Sequence, residues 1–363
     1  MKINWQIIYI YALIFSTILS LIFTRISLAL GNKLGMMDQP GERKVHTHAK
    51  PRSGGIAIYS AFILTIIFHI FLWFLFFKNS LLIHENVDKY LINIPQTFPK
   101  ILAILSGATL LFITGIIDDK KPLPPIPKLI IQIIAGIMLF AAGIKIKFFF
   151  DSQIFSLIIT VGWVVFLTNS FNFLDNMDGL TAGVACIVCF NLALISYLAN
   201  EYFMVIIFMI FIGSMLGFLK YNFYPSKIFM GDSGSLFIGF IIASLTILST
   251  YYEKGIPNKL SAITPLIVLS LPLFDTISVM SIRYKNKKPL MVGDKNHFSH
   301  RLVDLGMTQK GAVVFIYFIT LVIGLNTLSL RKASLPEGIL ILCQTFLLFV
   351  IIFLLEHIPR RER

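Results

Sequence analysis

About eleven apolar runs, most of them near the length of roughly 20 residues at which a helix crosses a bilayer, constrain this sequence more than any other feature. They fall approximately at Ile7–Leu30, Gly54–Phe77, Ile101–Ile117, Leu129–Ala142, Ile154–Leu167 and Leu180–Leu198. The remainder are Phe203–Leu219, Ser235–Thr250, Ile263–Ile282, Gly311–Leu328 and Glu337–Leu355. The expected fold is therefore all-α: a polytopic integral membrane protein, one transmembrane domain over residues 1–363. The spans use up the length and leave no room for a separate soluble unit. Only 13% of residues are charged and 56% are hydrophobic, against about 25% charged in soluble domains, which excludes the soluble classes. The run behind Met1 and Lys2 reaches Phe23 without a small-residue cleavage site and reads as a first span rather than a signal peptide. No internal repeat stands out, so a two-fold transporter architecture gains no support.

Lys and Arg set the orientation. The loops after spans 1, 3, 5, 7 and 9, with the C-terminal tail, hold twice as many as the N-terminal end and the other loops. That excess makes loops 31–53, 118–128, 168–179, 220–234 and 283–310 cytoplasmic, with the N-terminus outside and the C-terminus cytoplasmic. The expected location is the inner, cytoplasmic membrane. A net charge of +13 would suggest nucleic acid in a soluble chain. Here the bases follow the loops, so the expected surroundings are lipid bilayer and no nucleic acid. Cys186, Cys189 and Cys343 lie within apolar runs and read as packing residues.

The acids are less easily explained, because they contribute little to topology. Asp38, Asp118, Asp119, Asp175, Asp178, Asp232, Asp294 and Asp304 all fall on the side assigned to the cytoplasm. The densest group is NSFNFLDNMDGL, Asn169 to Leu180, bordered on both sides by apolar runs. An ionised Asp at bilayer depth costs roughly 2.5–3.5 kcal/mol even on lenient scales. The stretch therefore lies at the membrane face or borders a watery cavity. If it is helical, Asn172, Asp175 and Asp178 share a broad face. Oxygen ligands of this kind suit Mg²⁺, which prefers carboxylates together with substrate phosphates. The plainer reading is a polar turn with Asp178 as helix N-cap.

Four further stretches carry the same two-sided reading. Asp118-Asp119-Lys120-Lys121 ends span 3, and adjacent carboxylates repel unless a cation lies close. Met230-Gly231-Asp232-Ser233-Gly234 offers glycines for close backbone approach, with Asp232 heading a helix as cap or metal ligand. His297, His300 and Arg301 fall at i, i+3 and i+4, a spacing better suited to phosphate than to zinc, since no HExxH is present. Arg43, Lys44, His46, His48, Lys50 and Arg52 form a cationic loop fit for a phosphate-bearing ligand, and Gly54-Gly55 behind it suits close backbone approach. Asp275, late in span 9, is an intramembrane acid and a functional candidate by default.

In this order the motifs resemble the polyprenyl-phosphate N-acetylhexosamine-1-phosphate transferases. The matching pieces are RKVHTHAKPRSGG (43–55), GIIDDKK (115–121), NSFNFLDNMDGL (169–180), MGDSGSLFIGF (230–240) and DKNHFSHRLVDLGM (294–307). The resemblance implies eleven spans, a cytoplasmic site, and transfer of sugar-1-phosphate from a UDP-N-acetylhexosamine to polyprenyl phosphate with release of UMP. Such a step begins a cell-surface glycan. It implies Mg²⁺, with Mn²⁺ able to substitute, held by Asn172 and Asp232. It assigns catalytic roles to Asp118, Asp119, Asp175 and Asp178, and substrate contacts to Lys44, His46, His297, His300 and Arg301. A homodimer is compatible with it. The chain departs from the family pattern at Ser299, often a histidine, and at Asn176, often a glycine. Three consecutive histidines would mark the muramoyl-pentapeptide branch, whereas this chain reads HFSH. An ion-coupled transporter would hold its acids near the midplane rather than at one face.

Overall fold

A computed structural model describes residues 4–39, 49–76, 94–146, 152–249, 251, 259–289 and 296–356. The first helices are α1 (Trp5–Lys33), α2 (Gly54–Phe76), α3 (Ile94–Lys120) and α4 (Pro125–Ala141). The central ones are α5 (Gln153–Leu174), α6 (Leu180–Leu198), α7 (Tyr202–Asn222) and α8 (Asp232–Leu248). A 3₁₀ turn at Lys259–Ile263 precedes α9 (Thr264–Val268) and α10 (Ser270–Lys285). The short α11 (Phe298–Asp304) leads to α12 (Gln309–Leu330) and α13 (Leu335–Glu356). Two antiparallel strands of two residues each, β1 (Met37–Asp38) and β2 (Lys50–Pro51), are the only strands among the described residues.

Eight of these helices are long and apolar enough to cross a membrane, or nine if α9 and α10 count as one broken span. The fourth and eighth expected spans are α4 and α8, apolar helices of only 17 residues each. The ninth is not continuous: it bends by 62° at Leu269. Pro272 explains the break, since it has no N–H for the carbonyl of Val268 and its ring crowds that group.

Helix α8 is the centre of the bundle. It packs against α2, α3, α5 and α6, and nearly every side chain on it is buried, including Phe237 and Phe240. Without a hydrophobic force between helices in lipid, such packing depends on small residues that let backbones meet. Gly107 of α3 lies under the Phe240 ring, and Gly239 of α8 lies against the backbone of Thr168 in α5. At the N-terminal end of α8 the approach is closest. A Cβ on Gly55 would overlap the backbone of Gly234, and one on Gly115 would overlap the backbone of Asp232 and Ser233. This end of the bundle is the one where α3 and α5 finish and α2, α4 and α6 begin. The loops that carry the acids therefore meet around it.

Because the atoms facing Gly115 are backbone, no flexible side chain can yield. Gly115→Val is expected to lower stability by about 1–3 kcal/mol or to prevent folding. Gly162→Ala, at an exposed helical position with open space around it, should be neutral or slightly stabilising. Thermal unfolding and size-exclusion profiles of the two variants in detergent check this.

Candidate active site

Helix α8 begins with Gly231 at φ 75°, a left-handed conformation that suits glycine. Asp232 is the first helical residue rather than the cap. The cap comes from α3: Asp119 accepts the Asp232 N–H at 2.8 Å on one oxygen and the Ser233 N–H at 3.0 Å on the other. A side chain on Gly231 would meet both of those oxygens at 2.6 and 2.7 Å, so the glycine also makes room for the carboxylate.

Asp118, one residue earlier, points elsewhere. Its Oδ1 accepts the Leu123 N–H at 2.7 Å and pairs with Lys128 Nζ at 3.1 Å. The same ammonium lies 3.1 Å from Asp232 Oδ2. The Asp118 and Asp232 carboxylates are also within hydrogen-bond reach of each other. Two acids this close need a proton or cations around them, and Lys128 supplies one positive charge. Asn172, in the last turn of α5, reaches Asp232 and donates from Nδ2 to Ser235 Oγ at 2.8 Å. The structure thus brings together Asp118, Asp119, Asn172 and Asp232 from three helices.

The anticipated face of Asn172, Asp175 and Asp178 is only partly formed, because α5 ends at Leu174. Asp175 is the C-cap residue and stays near Asp119, Asp232 and Arg52. Asp178 turns away. It does not cap α6, whose N-cap is Gly179 at φ 79°. Its oxygens instead accept Ser226 N–H at 2.9 Å and Ser226 O–H at 2.8 Å, with Lys50 Nζ 3.9 Å away. Asn222 completes that tie by accepting the Gly179 N–H at 3.0 Å and donating to the Ile228 carbonyl at 2.9 Å.

On the far side of the α5–α6 turn sits α11. His297 is its N-cap residue, so His300 and Arg301 lie in the helix and His297 at its mouth. Ser299 Oγ donates to Asn176 Oδ1 at 2.6 Å, joining α11 to the residue between Asp175 and Met177. The two positions that depart from the family pattern therefore touch each other. Lys44, His46 and Asp294 lie outside the described residues.

Residues 101–250, which hold Asp118, Asp119, Asn172, Asp175, Asp178 and Asp232, match the family described as glycosyl transferase family 4. A protein of Bacillus subtilis (strain 168), the "probable undecaprenyl-phosphate N-acetylglucosaminyl 1-phosphate transferase", is 32% identical over 357 residues. That match covers 96% of this chain and 90% of the relative. The chain belongs to this transferase family. The decaprenyl-phosphate N-acetylglucosaminephosphotransferase of Mycobacterium tuberculosis (strain ATCC 25618 / H37Rv) is 27% identical, over 79% of this chain and 74% of its own length. The undecaprenyl-phosphate alpha-N-acetylglucosaminyl 1-phosphate transferase of Escherichia coli (strain K12) is 25% identical, over 93% and 86%.

For this member of the transferase family, two residues that the structure brings to the candidate site are not among the sequence candidates: Lys128 and Ser226. Lys128 opens an apolar run, where a lysine reads as a side chain snorkelling to the interface. Arg52, one base of the cationic loop, takes a specific place. It pairs with Asp38 at 2.9 Å, and its charge also reaches Asp175. Ser226 carries no chemistry of its own that a sequence would flag.

Around Asp232, the acids Asp118, Asp119 and Asp175 outnumber the bases Lys128 and Arg52, and the imbalance shows at Asp175. Burial pushes its carboxyl up to about 7, with the charges of Asp232 and Asp119 adding to the rise and Arg52 opposing it. The unfolded chain releases that proton near 3.8. Between those values the folded chain binds more protons than the unfolded one, so stability falls as pH rises through the window. Asp175→Asn, which stays neutral, should therefore unfold at a higher temperature than wild type at pH 8 without divalent cations. The gap should be smaller at pH 5, part-way down the window, and should close only below about 3.8. Thermal unfolding in detergent at both pH values measures this.

Proposed function

We propose that this chain transfers N-acetylglucosamine-1-phosphate from UDP-N-acetylglucosamine to a polyprenyl phosphate and releases UMP, the first membrane step of a cell-surface glycan. The observation that carries the reading is the Asp118–Lys128–Asp232 group, held by Asp119 and flanked by Asn172 and Asp175. The relatives' names support the substrates, and the positive-inside pattern supports a site on the cytoplasmic face of the inner membrane. The same reading counts α4, α8 and the broken α9–α10 pair as crossings, which makes eleven.

Two phosphorylated substrates repel, so the barrier is largely electrostatic and catalysis is positioning plus charge neutralisation. The cofactor proposed is Mg²⁺. Among the described residues no three His, Cys, Asp or Glu side chains converge to hold a metal by themselves. Mg²⁺ does not require that, since one or two carboxylates plus substrate phosphates are its usual protein-bound set. Asp232 and Asn172 would supply its carboxylate and amide oxygens, and the crowded carboxylates of Asp118 and Asp232 favour a cation there. When bound, the ion would neutralise charge on the donor diphosphate.

The protein's own groups do the rest. Lys128 fixes Asp118 and Asp232 relative to each other, so the acceptor side and the donor side share one charged centre. Asp119 holds α8 in place with both oxygens and leaves Asp118 as the acid of the pair next to Asp232. His297, His300 and Arg301 approach from α11 as the donor-binding arm, and Asp178 keeps the 223–231 loop against the α5–α6 turn. A phosphate monoester has a second pKa of about 6, so the lipid phosphate is already a competent nucleophile at neutral pH. Direct attack therefore needs no covalent intermediate on an aspartate.

Purified protein in nanodiscs, given Mg²⁺, undecaprenyl phosphate and a panel of UDP-sugars, should release UMP with UDP-N-acetylglucosamine. Asp232→Asn should lose most of that turnover while still inserting. Mg²⁺ should raise the unfolding temperature of wild type but not of Asp232→Asn. Wild-type rates in the variant would remove Asp232 from the site. The orientation is checked separately in a cysteine-free background. Lys287→Cys should resist a membrane-impermeant maleimide on intact cells, and Lys145→Cys should react.

A further inference from the structure

One intramembrane acid remains outside this scheme. Asp275 sits in α10 with only 1% of its surface exposed, and His297 beside it is 5% exposed. One carboxylate oxygen lies 2.8 Å from His297 Nδ1, and the other accepts the Phe298 N–H at 2.6 Å. Both oxygens thus face hydrogen-bond partners at the point where the chain enters α11. Ser278, one turn further along α10, accepts from Arg301 Nη2 at 3.1 Å. A single face of α10 therefore carries the first and the last of the three residues in the donor-binding arm.

We infer that Asp275 is a positioning residue for the nucleotide-sugar: it orients the His297 imidazole and anchors α11, and so sets donor affinity without touching either substrate. This rests on the reading of α11 as the donor-binding arm. Docking a short helix does not require a carboxylate inside a membrane helix, where an acid is costly. A serine or an amide would meet the Phe298 N–H. What the acid adds is acceptance on both oxygens. It fixes Nδ1 as a protonated nitrogen and leaves Nε2 on the ring's opposite edge for a ligand. The ring is further held against Phe173, two residues before Asp175, at 6.3 Å between centroids. An amide cannot substitute evenly: its NH₂ would confront either the Phe298 N–H or the Nδ1–H.

The test uses full-length protein in nanodiscs, as wild type, Asp275→Asn, His297→Asn and the double variant. UMP release is followed while UDP-N-acetylglucosamine and undecaprenyl phosphate are varied in turn. Asp275→Asn should raise KM for the nucleotide-sugar roughly ten-fold, with kcat and the lipid KM within about two-fold, as for loss of a carboxylate behind a ligand imidazole. The double variant should be no worse than His297→Asn, because Asp275 acts through the ring. Losses that multiply, or a fall in kcat at constant KM, would overturn the inference. The ¹⁵N imidazole signal that disappears in His297→Asn gives a readout free of turnover. It should report a protonated Nδ1 in wild type and shift in Asp275→Asn, and an unchanged signal also overturns the inference. Wild-type protein that releases no UMP from UDP-N-acetylglucosamine removes the functional reading instead, and the imidazole signal then decides whether Asp275 orients His297.

Discussion

The site exists because one carboxylate closes one helix end. Asp119, in the last turn of α3, takes the first two amides of α8 on its two oxygens. Charge-assisted bonds of this kind contribute about 1.5–3 kcal/mol each, and the amides would otherwise be orphaned at a buried helix start. The cap also dictates the packing around it. Gly55, Gly115 and Gly231 each lack a side chain where the cap needs space. With α8 fixed against α3, the Asp232 carboxylate is fixed against Asp118, and Lys128 has both to bind.

Six of the described acids fall into two groups once their partners are known. Asp119, Asp178 and Asp275 each use both oxygens on a distant part of the chain: the start of α8, Ser226, and the start of α11 with His297. They hold segments together. Asp118, Asp232 and Asp175 instead face Lys128, Arg52, Asn172 and one another. Their mutual repulsion is a cost that folding alone does not recover. Groups of this second kind are expected where a cationic ligand completes the charge balance.

That division is invisible in the sequence, although much else is not. The cost of burying ions made the acids conspicuous, and helix length made the spans legible; α6 runs over Leu180–Leu198 as its apolar run does. The break at Leu269 was recoverable in principle, since Pro272 interrupts the run, but length and hydropathy outweighed it. The role of Asp178 was not recoverable. Its partner lies 48 residues away and across the whole of α6 and α7. A carboxylate before Gly-Leu at a helix start is just what a local N-cap looks like, and local patterns cannot show that another partner wins.

The contact between Asn176 and Ser299 shows how such long-range pairings affect recognition. Taken one at a time, Ser299 bears only on which donor sugar is taken, and Asn176 only on the backbone beside Asp175. In the structure they form one hydrogen bond at 2.6 Å between the turn that carries Asp175 and the helix that carries His300 and Arg301. Asn176 is held in turn by its own Nδ2, which donates to the Phe173 carbonyl at 2.9 Å. Changing either residue alone leaves a polar group without its partner, at a cost of about 1–3 kcal/mol where water cannot reach. The two departures are therefore one feature. It ties the turn that carries Asp175 to α11, so the spacing between the carboxylates and the His300–Arg301 helix depends on both residues together.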